Sequence, residues 1–130
     1  PYTSSAASDV YKRQFLIRGR AMDDADDVRG ARAAYRAAAR LAPEDLRGPL
    51  FEGQMLLKRR RPAEAAEVLT PAALDSSRRP TLVYFQLTLQ ALVTSRAPSN
   101  QVGRVYERAV EVHGDAAKER FTRNQGGVPR

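Results

Sequence analysis

The chain has 130 residues, with 22 Lys and Arg against 15 Asp and Glu, a formal net charge of +7, one histidine and no cysteine. That length holds one domain of ordinary size. The missing cysteine excludes disulfides, zinc-thiolate sites and thiol nucleophiles, and a single histidine gives little basis for a histidine-built metal site or triad. No stretch approaches the roughly 18 apolar residues that a membrane-spanning helix needs, so no span is expected.

In chain order, the first feature is Ser4 to Gln14, which reads SSAASDVYKRQ. The segment resembles the in-frame translation of a transposase adapter used in sequencing libraries. That resemblance implies a bacterial metagenomic fragment, a non-native segment over residues 1–14 and a native chain that starts near Phe15. The true N-terminus would then lie upstream, no leader is legible, and the compartment is unknown beyond a cytoplasmic default. Without Lys12, Arg13 and Asp9 the chain is still basic.

From Val28 to Ala42, apolar and small residues recur at three- and four-residue steps (Val28, Ala31, Tyr35, Ala38, and Leu41 or Ala42), which predicts a helix. Asp26 and Asp27 are placed to cap its start, and Pro43 ends it. Leu46 to Lys58 carries Leu50, Phe51, Met55, Leu56 and Leu57 and predicts a second helix, separated by Arg59, Arg60 and Arg61 from a third that starts on Pro62 and runs through Leu74. Thr81 to Thr94 is the most apolar stretch. Ala97 to Asn100 breaks the chain there, with Ser99 or Asn100 expected to cap a helix from about Gln101 to Val112, which His113-Gly114-Asp115 closes. A short helix over Ala116 to Arg123 fades into a glycine-containing tail. No alternating strand pattern competes, so the expected fold class is all-α.

The helices recur with a period near thirty-four. Ala31, Tyr35, Ala38 and Pro43 have the spacing small, aromatic, small, proline. The same spacing returns at Ala65, Leu69 and Ala72, with Ser77 in the place of the proline, and again, shifted by three extra residues in Arg96 to Asn100, at Val102, Tyr106 and Ala109. Gly19 and Gly53, thirty-four apart, hold the small position of the first helices; in the third copy Thr88 or a neighbour stands there. This pattern resembles the tetratricopeptide repeat. The resemblance covers about Phe15 to Gly114 and departs from the family where Phe15, Pro49 and Tyr84 replace its tryptophan. It implies antiparallel helix pairs stacked as a short right-handed solenoid of about seven helices, with pairs at about 15–44, 45–79 and 80–114 and a partial terminal helix and tail over 115–130.

The remaining constellations offer little chemistry. Asp23-Asp24-Ala25-Asp26-Asp27 fails the calcium-loop pattern, because Arg29 stands where the loop needs glycine when counted from Asp24, and it reads as an acidic turn between helices. His113 reads as a helix-end cation, and Gly126-Gly127 lacks the lysine and helix of a phosphate loop. Arg59 to Arg61 and Arg78-Arg79 could meet phosphates, but they sit in different turns with no aromatic side chains interleaved for stacking.

What the resemblance implies is a partner-binding groove on the first helices, assigned to Arg20, Arg47, Leu50, Phe51, Gln54, Lys58, Phe85, Gln86 and Leu89. Its mixture of cations, amides and apolar groups suits a protein or peptide of acidic character. The family's clamp for a terminal carboxylate is not expected, because Leu16, Arg20 and Gln54 occupy its positions. The expected function is a protein-protein interaction scaffold with no catalysis, no cofactor and no metal. The alternatives are an appendage of an enzyme whose catalytic domain lies outside these residues and a basic all-helical nucleic-acid-binding module.

Overall fold

The computed structural model describes residues 4–124 and is all-α: seven helices and, among the described residues, no strand. They are α1 (Ser4–Asp24), α2 (Val28–Leu41), α3 (Arg47–Lys58), α4 (Pro62–Leu74), α5 (Leu82–Thr94), α6 (Ser99–His113) and α7 (Asp115–Asn124). Among the described residues, no helix is long and apolar enough to cross a membrane. The chain divides into two compact units, one ending at Met55 and the other beginning at Leu56, so the boundary falls inside α3.

In the N-terminal unit, α1 and α2 pack along each other. The packing centres on Tyr35, a buried residue of α2. Gly19 of α1 lies beneath its ring: a Cβ at that position would stand 2.5 Å from the ring's Cε1. Gly48, in the first turn of α3, comes equally close from another side, where an added Cβ would be 2.7 Å from the Tyr35 carbonyl oxygen. Phe51 completes the cluster edge-on, with ring centroids 5.9 Å apart. The missing side chain of Gly19 thus makes room for the Tyr35 ring, and that of Gly48 lets α3 approach the α2 backbone at Tyr35 and Ala39.

In the C-terminal unit, α5 packs on α4 and α6, α4 also meets α6, and α6 meets α7. Buried Tyr84 donates its hydroxyl proton to the Leu69 carbonyl of α4 at 2.9 Å, and Thr88 Oγ1 donates to the Tyr84 carbonyl at 2.8 Å. Both hydroxyls are therefore satisfied inside an apolar core that includes Phe85, Leu89 and Leu92. The last helix adds Phe121, buried and 6.5 Å from the Tyr106 ring.

The helix ends mostly follow the local sequence. The Asp27 carboxylate accepts from the Gly30 N–H at 2.9 Å and caps α2, and Thr81 caps α5 by accepting from the Tyr84 N–H at 3.1 Å. α6 differs from expectation. It starts at Ser99, with Pro98 as the cap residue and no side-chain cap bond, because a proline side chain has no acceptor; the Pro98 carbonyl accepts from Gln101 and Val102. Ser99 and Asn100 are inside the helix.

Three turns share one geometry that the sequence does not announce. After α1, α3 and α5 the backbone enters the left-handed region at Asp26 (φ 63°), Arg60 (φ 62°) and Arg96 (φ 60°). In each, the next amide reaches back to a carbonyl five residues earlier: Asp27 to Met22 at 2.8 Å, Arg61 to Leu56 at 2.9 Å and Ala97 to Leu92 at 2.9 Å. The left-handed residue itself bonds three residues back, to Asp23, Leu57 and Val93. This is the Schellman closure, formed three times without the glycine that normally occupies it.

Candidate partner-binding surface

The expected groove residues separate by burial. In the N-terminal unit, Arg20, Arg47 and Gln54 are exposed, and Leu50 and Phe51 are half-buried. The Arg20 guanidinium lies 6.0 Å from the centre of the Phe51 ring, a cation-π distance. Because Phe51 rests on Tyr35 below and meets Arg20 above, the cation is seated on a ring that the core holds in place.

Arg47 is already engaged. Its guanidinium grips Asp45 through Nε and Oδ1 at 3.1 Å and through Nη2 and Oδ2 at 2.8 Å, while Lys12 reaches the same carboxylate at 2.9 Å. The Arg47 bonds, with help from Lys12, hold the Asp45 carboxyl well below the usual carboxylate range and raise Arg47 in return. Arg47 therefore meets a ligand with much of its charge neutralised.

In the C-terminal unit, Lys58 is exposed, and Gln86 is half-buried with its side-chain oxygen accepting from Arg120 Nη2 at 2.6 Å and Nε at 3.0 Å. Phe85 and Leu89 are fully enclosed. They belong to the core and offer no surface to a partner, which corrects their assignment to a groove. The side chains that α5 does expose are Val83, Gln90, Val93 and Thr94.

Other charged groups mostly serve the fold. Arg61 pairs with Glu64 at 2.7 Å, and Arg78 with Asp75 at 3.2 Å. Arg108 donates to the Asp75 and Arg78 carbonyls at 2.9 and 2.7 Å and also meets Glu111. The His113 ring bonds the Pro80 carbonyl at 2.7 Å, stands edge-on to Phe85 at 5.9 Å, and the neighbouring Arg79 reaches the Val112 carbonyl at 3.3 Å. α6 is thereby pinned to the connection before α5. Arg59 to Arg61 precede α4 and Arg78-Arg79 follow it, so the thirteen-residue helix separates the two clusters by about 20 Å. No group of three His, Asp or Glu side chains could hold a metal among the described residues. An open depression of about 310 Å³ is lined by Leu74, Arg104, Glu107, Arg108 and Glu111, none of them a nucleophile.

No family model, curated protein or solved structure matches the chain.

Proposed function

We propose that this chain is a tetratricopeptide-type interaction module without catalysis of its own, with three helix pairs over about 15–114 and a terminal helix. The repeat reading is carried by the three glycine-free turns at Asp26, Arg60 and Arg96, which are 34 and 36 positions apart in sequence and share φ and hydrogen-bond register. Contacts one repeat apart support it: Arg108 with Asp75, His113 with Pro80 and Arg120 with Gln86 are separated by 33 or 34 residues. Neighbours at a constant sequence offset are what stacked equivalent helices produce.

The ligand is an acidic extended peptide, met in the N-terminal unit by Arg20, Phe51 and Gln54. An exposed guanidinium over an anchored aromatic ring, beside an exposed amide, presents charge, a flat apolar face and hydrogen-bonding capacity together, the composition of energetically dominant interface positions. A nucleic-acid module has less support, because Arg61, Arg78, Arg79 and Arg108 are committed to carboxylates and carbonyls of this chain. Residues 1–14 remain proposed as adapter-derived, so a chain begun at Phe15 is expected to bind as the longer one does.

Selection of a random-peptide display library on the full chain tests the reading. The expected result is an acidic consensus whose calorimetric affinity falls about tenfold in Arg20→Glu. Absence of a consensus, or a consensus indifferent to Arg20→Glu, defeats it.

A further inference from the structure

The outward side of α2 carries a feature that the peptide site does not use. Arg29, Arg32, Arg36 and Arg40 follow one another at steps of three, four and four residues. At about 100° per residue they fall within an arc of about 80°, and at 1.5 Å per residue they span about 17 Å of the helix. α2 contains no acidic residue, and Arg29, Arg36 and Arg40 are exposed.

The stripe is organised from beneath. Glu52 of α3, with only 4% of its side chain exposed, accepts from Arg32 Nε at 2.8 Å and lies 3.2 Å from Arg36 Nε. Arg32 is tied down by that bond. Arg36 is anchored through Nε yet stays 55% exposed, so its guanidinium is restrained while open to solvent, which lowers the entropic cost of a further contact. Arg29 sits in the first helical turn, where the helix dipole disfavours a cation. A local rule broken on a surface stripe is the kind of departure that function accounts for.

We infer that this stripe docks an acidic α-helix of a partner protein. Charge complementarity asks for carboxylates, and the three- and four-residue steps match the spacing at which a second helix presents its own side chains along one face. Ala33, exposed, and Ala37, half-buried, lie beside the arginines and permit close approach of a second backbone. The aromatic residue of α2, Tyr35, is buried and gives nucleic-acid bases no stacking platform. Leu41 at the far end is a single large apolar side chain, too little for insertion into a bilayer.

Fluorescence anisotropy on the full chain decides it, using a labelled alanine-based helical peptide of about 20 residues with glutamates at steps of three, four and four. Controls are a scrambled peptide of the same composition and a labelled oligothymidylate. The expected result is binding that weakens as salt shortens the screening length, falls about tenfold with the scrambled peptide, and falls about tenfold in the doubly substituted Arg29→Glu, Arg40→Glu chain. Circular dichroism establishes that this variant is folded, and Arg29→Gln, Arg40→Gln serves in its place if it is not. Arg20→Ala, which touches only the peptide site proposed above, leaves this affinity unchanged. The inference is overturned by no binding, by equal affinity for the scrambled peptide, by indifference to the arginine substitutions, by loss in Arg20→Ala, or by oligothymidylate binding as tightly through the same arginines.

Discussion

Gly19 and Tyr35 occupy each other's space so fully that one methyl group added to the glycine would stand 2.5 Å from the phenol ring. Gly19→Ala should therefore cost about 1–3 kcal/mol, the range for overpacking a filled core. Gly103 lies inside α6 with nothing within 4 Å of an added Cβ. Gly103→Ala should stabilise by about 0.5–1 kcal/mol through helix propensity. Urea unfolding of both variants reads opposite signs if the helices pack as described.

Glu52 is a buried carboxylate shared by two arginines. Glu52→Ala removes the buried acceptor of Arg32 Nε, whose side chain is 19% exposed, and should cost about 3–5 kcal/mol. Arg36→Ala removes a mostly exposed partner and should cost no more than about 1 kcal/mol. Comparable losses from the two substitutions would show that Glu52 is not the organising group.

Stability should fall on acidification through the carboxylate range. Asp45 is held below its ordinary value by Arg47 and Lys12, so as pH drops the unfolded chain binds the proton first. The contribution is complete above the unfolded carboxylate value near pH 4 and fades as pH falls toward the folded one. Asp45→Asn should flatten the pH dependence of the urea midpoint below about pH 5 and leave Arg47 without its partner. An unchanged slope would mean that the cluster does not form in solution.

Replacing the left-handed residues by glycine removes their steric penalty at the cost of a more flexible unfolded chain. Arg60→Gly and Arg96→Gly should each stabilise by about 0.5–1 kcal/mol, and Asp26→Gly by less, since aspartate tolerates this conformation better. Thermal melts of the three variants and their combination measure the increments. Loss of stability at all three positions would refute the shared turn geometry.

Much of the helical architecture was legible. α2 alternates arginine and alanine so regularly that its buried face, Ala31, Tyr35 and Ala38, follows from spacing alone. Pro62 marks the start of α4, and Gly114, at φ 62°, marks the end of α6. The groove was harder to read because α5 contains no charged residue, so polarity does not distinguish its faces, and Phe85 and Leu89 fell on the wrong side. The turns at Arg60 and Arg96 were hidden for a related reason. Hydrogen bonding and packing of the flanking helices impose a conformation that arginine does not announce. The arginine stripe of α2 was present in the periodicity, but only the position of Glu52 shows which of its members are held and which face outward.

The three repeated turns accept very different side chains in one backbone form: Asp26-Asp27, Arg60-Arg61 and Arg96-Ala97. A bend that two carboxylates and two guanidiniums fill equally well is indifferent to electrical sign. The freedom belongs to the left-handed position, where Asp26, Arg60 and Arg96 interchange; Asp27 is excluded from it, because its carboxylate caps α2.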